Sequence, residues 1–260
     1  MSAPDQLLSP SLDIPVLWIV ASYVLGAIPF AVWIGRRAGQ DPRRQGSKNP
    51  GASNVARTSG IRWGLITLIL DALKGAVIPL FIMRGALISA AAQPEVASGA
   101  MWQVDLTEWA AICGISAVLG HVTSPFLGFR GGRGVATAIG ATAALNLNVA
   151  ALSASAWIVT LILTRVPAWS SLVLCASLIF LSNAQGVPDS VHLFCICVAA
   201  IITVRHWPHL KRLFESKPDK RADYLALYPS LSRSKSQASG DSKRAKKRRK
   251  GKQKRGRGRR

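Results

Sequence analysis

The sequence predicts an all-α, polytopic integral membrane protein of about seven transmembrane helices, with its N-terminus outside and its C-terminus in the cytoplasm. Three observations carry that expectation. Long apolar runs fill most of the first 204 of 260 residues. Of 33 Lys plus Arg, 21 lie from Arg205 onward, and only 12 Asp plus Glu oppose the whole set, for a net charge of +21. The few earlier cations fall in alternate loops. A bilayer core of about 30 Å asks for about 20 apolar residues per helix. Such a composition excludes an ordinary soluble enzyme, a disulfide scaffold and a wholly disordered chain.

The first apolar run covers residues 14–34. It is too long for the apolar region of a signal peptide, and no Lys or Arg precedes Arg36, so it reads as a span. Runs at 63–83, 109–129, 149–164, 168–184 and 190–204 follow. Some are short for a full crossing, so tilted or shielded helices are expected. A seventh, Val135–Leu145, is rich in Ala, Gly and Thr, the residues that let membrane helices approach closely. Asn146 and Asn148 supply a turn into the next run. Six spans is the competing count.

Loop charge orients the spans. Residues 35–62 carry Arg36, Arg37, Arg43, Arg44, Lys48, Arg57 and Arg62; residues 84–108 carry only Arg84, with Glu95, Asp105 and Glu108. The third loop has Arg130 and Arg133, the fifth has Arg165, and the fourth and sixth have none. With seven spans every loop obeys the positive-inside rule, and merging 135–145 into its successor breaks the alternation.

Cys113, Cys175, Cys195 and Cys197 all lie inside apolar runs, without C-x-x-C or zinc-finger spacing, and read as small buried hydrophobes rather than metal ligands. The chain divides into a short N-terminal segment (1–13), a membrane domain (14–215) and a basic tail (216–260). Beyond about Ser230 the tail is Ser, Gly, Lys and Arg with almost nothing apolar, a composition expected to stay disordered. Anionic lipid headgroups are the preferred partner of its cations. RNA is the other option, but no aromatic residue interleaves the cations of 241–260 to stack on bases.

Three polar clusters fall on the side assigned to the cytoplasm. The first runs from Gly46 to Arg57, GSKNPGASNVAR. Glycines that allow close backbone approach, short donors and two cations suit a phosphate ester. A solvated, orienting loop accounts for Arg36, Arg37, Arg43 and Arg44, but not for Ser47 through Arg57. The second, GHVTSPFLGFRGGRGVAT from Gly120 to Thr137, puts Arg130, Gly131, Gly132 and Arg133 directly before a helix start. Helix N-termini attract anions through unpaired N–H groups and the helix dipole. P-loop spacing is absent, and no strand precedes the glycines as a dinucleotide fingerprint requires. His121 reads equally as a satisfied structural residue or a catalytic one. The third, RHWPHLKR from Arg205 to Arg212, exceeds a simple Trp–Arg interfacial anchor because two histidines stand beside its arginines. Within the second run, Asp71 and Lys74 are three apart and can pair on one helix face, as a site or as a structural ion pair.

On these motifs the chain resembles the bacterial acyl-phosphate:glycerol-3-phosphate acyltransferases, small polytopic enzymes of phospholipid synthesis. The resemblance rests on GSKNPGASNVART, DALKG, GHVTSPFLGFRGGRGVATAIG and RHWPHLKRL in that order, over roughly residues 14–215. It implies a multi-pass protein of the bacterial inner membrane with its active site facing the cytoplasm. Ser47, Asn49, Asn54 and Arg57 fall in the first family motif, the glycine turn and Arg133 in the second, and His206 in the third. The sequence departs from the family at Arg130 and Arg133, where Lys is usual, and at His209, where Asn is usual. It also has Ser124 for Pro, Lys48 for Gly, and only Asp219 near the place of a closing Glu.

The expected catalytic residues are therefore His206, Arg133 and Ser47. Asn49, Gly51, Asn54, Arg57, Arg130, Gly131, Gly132, Thr137, Arg205 and His209 are expected to bind substrate. The substrates implied are acyl phosphate and glycerol 3-phosphate, the acyl chain passing to the sn-1 hydroxyl with release of phosphate. An acyl phosphate is already an activated anhydride, so no cofactor and no metal is expected, and no obligate protein partner. None of the four histidines has Asp five places on, so the H-x-x-x-x-D motif of acyl-CoA-using enzymes is absent. A membrane carrier for a phosphorylated solute is the alternative. A carrier's site is more natural at the midplane between inverted repeats, and no internal repeat is visible.

Overall fold

The computed structural model describes residues 13–92 and 106–215, and every regular element among them is helical. Calls on the N-terminal segment, on Glu95 and Asp105, and on the tail beyond 215 lie outside the described residues. The described residues up to Lys211 form one compact unit; of the second, 212–260, only 212–215 are described.

The chain opens with α1 (Asp13–Ala27) and α2 (Phe30–Arg37), separated at Ile28 and Pro29. Proline cannot donate within a helix, and the break falls where its N–H is missing. A short α3 (Ala52–Ser59) begins at Gly51 and stops at Gly60, whose φ of 105° a side chain would resist. Then come α4 (Ile61–Ala92), α5 (Leu106–Val122), a 3-10 turn at Pro125–Leu127, α6 (Val135–Leu145), α7 (Leu147–Thr164), α8 (Pro167–Ala184) and α9 (Asp189–Glu215).

Six stretches are long and apolar enough to cross a membrane: Val16–Arg37, Ile61–Gly85, Leu106–Leu127, Leu147–Thr164, Pro167–Ala184 and Asp189–Pro208. The α6 helix is separate from α7, as expected, because Asn146 closes one and opens the other, its side chain accepting from Val149 N at 2.9 Å. With 11 residues, α6 is about 16 Å long, short of the bilayer core. The described residues thus hold six full-length candidates and one shorter apolar helix, Val135–Leu145.

Two runs also differ at their ends. The run 109–129 leaves the helix at Val122 and turns through Pro125, while 190–204 continues as helix to Glu215. Hydropathy falls at Arg205, but backbone hydrogen bonding does not, so the third motif is helical rather than a loop.

Helix α6 lies inside the bundle. Ala138 and Ala141 join Val118, Val149, Leu174, Leu178, Phe194, Val198 and Ile202 in one apolar core. Leu17, Ile69, Phe81, Ile162 and Phe180 point outward and exposed, an apolar belt suited to lipid. Small residues set the approach distances. A Cβ on Gly75 would collide with the Thr137 carbonyl, and one on Gly140 with the Ala72 carbonyl, so α4 and α6 touch backbone to backbone. Polar contacts tie α5 and the turn after it to α1: Ser116 Oγ donates to Ile19 O at 2.8 Å and Ser124 Oγ to Ala27 O at 2.6 Å. Gly140→Ala is expected to destabilise by about 1–3 kcal/mol, as overpacking does. An unchanged melting temperature in detergent would contradict that backbone contact.

Candidate active site

The first motif folds around Asn54. This residue is buried, and its side chain makes three hydrogen bonds to the preceding loop: Nδ2 donates to Pro42 O at 2.8 Å and to Gln45 O at 3.0 Å, and Oδ1 accepts from Ser47 N at 2.9 Å. Asn54 thereby shapes the loop that presents Ser47, which is exposed, and Asn49, which is half-buried. Gly51 starts α3, and the Asn49 amide nitrogen lies 2.9 Å from where its Cβ would stand. Arg57, half-buried, sits in the last turn of α3. Upstream, Asp41 accepts from Arg43 Nη2 at 2.7 Å and from Arg36 Nε at 3.3 Å. The Arg43 guanidinium holds the Asp41 carboxyl well below the ordinary carboxylate range. A depressed folded-state value means this anchor is complete above about pH 4 and is lost only as the pH falls below it.

Lys48 adopts a φ of 58°, a left-handed conformation that costs a non-glycine residue about 1 kcal/mol. Lys48→Gly is expected to raise thermal stability by a fraction of that amount, because the added freedom of the unfolded glycine offsets part of the relief. A fall in melting temperature would show that the lysine side chain contributes more than its backbone strain.

In the second motif the glycines act differently from a simple anion cradle. Gly131 N donates to Val122 O and Gly132 N to His121 O, both at 3.1 Å, so these two N–H groups close the end of α5. Their carbonyls accept from Arg205 Nη2 at 2.9 and 3.3 Å. The anion-seeking feature is one step further on. Helix α6 starts at Gly134, φ 86°, with no side-chain cap, and first-turn N–H groups have no partner within a helix. Arg133 is half-buried immediately before it, and Arg130 is exposed. Thr137 lies in that first turn, fully buried, and among the described residues its hydroxyl has no hydrogen-bond partner.

The three motifs meet here. Arg205, from α9, latches the glycine turn, and a Cβ on Gly132 would come within 3.0 Å of Pro50 O in the first motif. His206 is buried one residue beyond Arg205, with Nδ1 2.8 Å from Ile202 O. A carbonyl only accepts, so Nδ1 carries the proton and Nε2 is the basic nitrogen of the neutral ring. His209 lies on α9, and its side chain is outside the described residues. Sequence reasoning paired Asp71 with Lys74, and the structure places them 2.8 Å apart. It missed that His121 joins them, although GH and DALKG both stood out as motifs.

A helical bundle of membrane-length apolar helices, with Arg133, Arg205 and an uncapped helix N-terminus gathered at one place, defines an integral membrane protein with a positively charged polar site. A family model described as glycerol-3-phosphate acyltransferase matches residues 16–216. The glycerol-3-phosphate acyltransferase of Aromatoleum aromaticum is 36% identical over 209 residues, 79% of this chain and 95% of that relative. That of Geotalea daltonii is 33% identical over 198 residues, 76% and 93% of the two chains. Among solved structures, PlsY (YgiH), an integral membrane glycerol 3-phosphate acyltransferase in its glycerol 3-phosphate form, superposes with a TM-score of 0.64 at 30% identity. The match covers 77% of this chain and 92% of that one. Its lysophosphatidic acid form matches equally well, at 29% identity. The chain belongs to the glycerol-3-phosphate acyltransferase family. It is an integral membrane acyltransferase of phospholipid synthesis rather than a solute carrier.

Proposed function

We propose that this protein transfers an acyl chain from an acyl phosphate to the sn-1 hydroxyl of glycerol 3-phosphate, at the cytoplasmic face of a bacterial inner membrane. The hydroxyl oxygen attacks the acyl carbonyl carbon, the bond from that carbon to the phosphate oxygen breaks, and inorganic phosphate leaves with 1-acyl-glycerol 3-phosphate as product. The observation that carries the reading is the convergence of all three motifs on the N-terminus of α6, beside Arg133 and Arg205. Two phosphate-bearing substrates need positive charge and unpaired N–H groups at one place. With an activated anhydride, positioning and charge stabilisation supply the catalysis. On this reading Ser47 takes part in the reaction, and Asn49, Arg57, Arg130, Thr137 and His209 bind the substrates. The names of the relatives and the two ligand forms of PlsY support the acceptor and the product. The loop charges support the orientation.

The hydroxyl proton has two candidate acceptors, His206 and a phosphate oxygen of the donor. Purified protein in detergent, given acyl phosphate and labelled glycerol 3-phosphate, is expected to form lysophosphatidate and phosphate in equal amounts, acylated at sn-1. Acyl-CoA consumed in place of acyl phosphate would overturn the donor assignment. His206→Ala is expected to lower the rate by about 10²–10⁴-fold and to remove a limb of the pH profile if the imidazole takes the proton. An unchanged rate and profile would leave the phosphate oxygen as the acceptor. Residues 14–215 form the catalytic domain on this reading, and the basic tail binds anionic headgroups without entering the chemistry.

A further inference from the structure

Among the described residues, one buried ionisable cluster is not used by the mechanism above. Lys74 Nζ lies 2.8 Å from Asp71 Oδ1, donates to Ile28 O at 2.9 Å, and stands 5.7 Å from the centre of the Phe30 ring. The pair therefore spans from α4 to the α1–α2 break. His121, in the last turn of α5, places Nδ1 3.7 Å from the same Asp71 oxygen. All three are buried, at 1% exposure for Asp71, 4% for Lys74 and 8% for His121. The opposite edge of the imidazole packs on Gly132: a Cβ there would collide with Nε2 and lie 2.8 Å from Cε1. The His121 carbonyl also accepts the Gly132 N–H, at 3.1 Å. The ring thus fills the space between the ion pair and the glycine turn, while Arg205 holds the turn through its carbonyls.

Burying two charges inside an apolar bundle stabilises little, because desolvation cancels most of the attraction. Ionisable residues at such depth point to function instead. A one-ångström misplacement of a substrate group can cost about a hundredfold in rate, so the setting of the turn before α6 matters energetically.

We infer that His121 is a positioning residue, held in place by the Asp71–Lys74 pair, whose ring sets the glycine turn and with it Arg133 and the first turn of α6 against the phosphate of glycerol 3-phosphate. This rests on the function proposed above. Glycerol 3-phosphate is small, and most of its binding comes through the phosphate, whereas acyl phosphate also binds through its chain. Misplacing the turn therefore raises KM for the acceptor more than for the donor.

The test measures both KM values and the melting temperature for wild type, His121→Ala, His121→Gln, Asp71→Asn and the double variant His121→Ala with Asp71→Asn. In His121→Ala the KM for glycerol 3-phosphate is expected to rise about tenfold or more, with that for acyl phosphate within about twofold. The amide of His121→Gln reaches roughly where Nε2 stands and is expected to recover most of the loss. Asp71→Asn gives a smaller rise, and adding it to His121→Ala adds little, because both act through one ring. Both KM values unchanged in His121→Ala, an equal rise in both, or no recovery by glutamine would overturn the inference. Absence of acyl transfer by wild type would instead sink the proposed function. Stabilisation by inorganic phosphate then decides the inference alone: it is expected in wild type and lost in His121→Ala, and equal stabilisation of the two overturns it.

Discussion

Replacing Arg133 with alanine is expected to reduce acyl transfer by about a hundredfold or more, the usual effect of losing one charge-stabilising donor at a transferring centre. Arg133 directly precedes the uncapped N-terminus of α6, so under the proposed function its charge and the helix dipole would act on one substrate phosphate. Arg133→Lys keeps the charge and loses the bidentate fork, so it separates the two contributions. Retention of most activity by lysine would mean that charge dominates; a loss equal to that of alanine would mean that fork geometry does. Deletion of residues 230–260 is the control, with turnover in detergent expected within about twofold of the full chain, since the proposed chemistry uses none of their side chains. Normal turnover in Arg133→Ala together with an inactive truncation would place the active site elsewhere.

Asn54→Ala should be nearly as damaging, for a different reason. It leaves Pro42 O, Gln45 O and Ser47 N without the partners that Asn54 supplies; the Pro42 bond is buried, and a buried polar group left unpaired costs about 1–3 kcal/mol. The loop carrying Ser47 and Asn49 would lose its shape, so activity should fall together with melting temperature. Asn54→Asp is the sharper variant. It keeps the acceptor for Ser47 N but turns an oxygen toward two carbonyls, where the native amide nitrogen donates. It is expected to rescue nothing. Activity close to wild type in the aspartate variant would show that the loop is held by other contacts.

The residues that were easiest to read are those whose physics is local. Transfer of apolar side chains into lipid depends on composition alone, so all six long spans announce themselves as runs, the first of them, 14–34, continuing across the α1–α2 break at Pro29. Asn146 likewise marks the end of α6 because a side-chain cap acts within three residues. Helix α9 was cut short at Val204 because hydropathy falls where the third motif begins, although hydrogen bonding carries the helix on to Glu215.

The site divides in the same way. Glycine, arginine and asparagine in three ordered motifs mark the family by themselves. Their individual duties were decided only by packing. Asn54 resembled a ligand but organises its own loop. Gly131 and Gly132 resembled an anion cradle, but their N–H groups close α5 and their carbonyls receive Arg205 from 74 and 73 positions away. Asp71 and His121 meet where α4 packs beside α5, while Gly75 and Gly140 let α4 touch α6 backbone to backbone. Partners so far apart in the chain leave no periodicity or spacing in the sequence, because their distance is set by how helices pack and not by the chain between them.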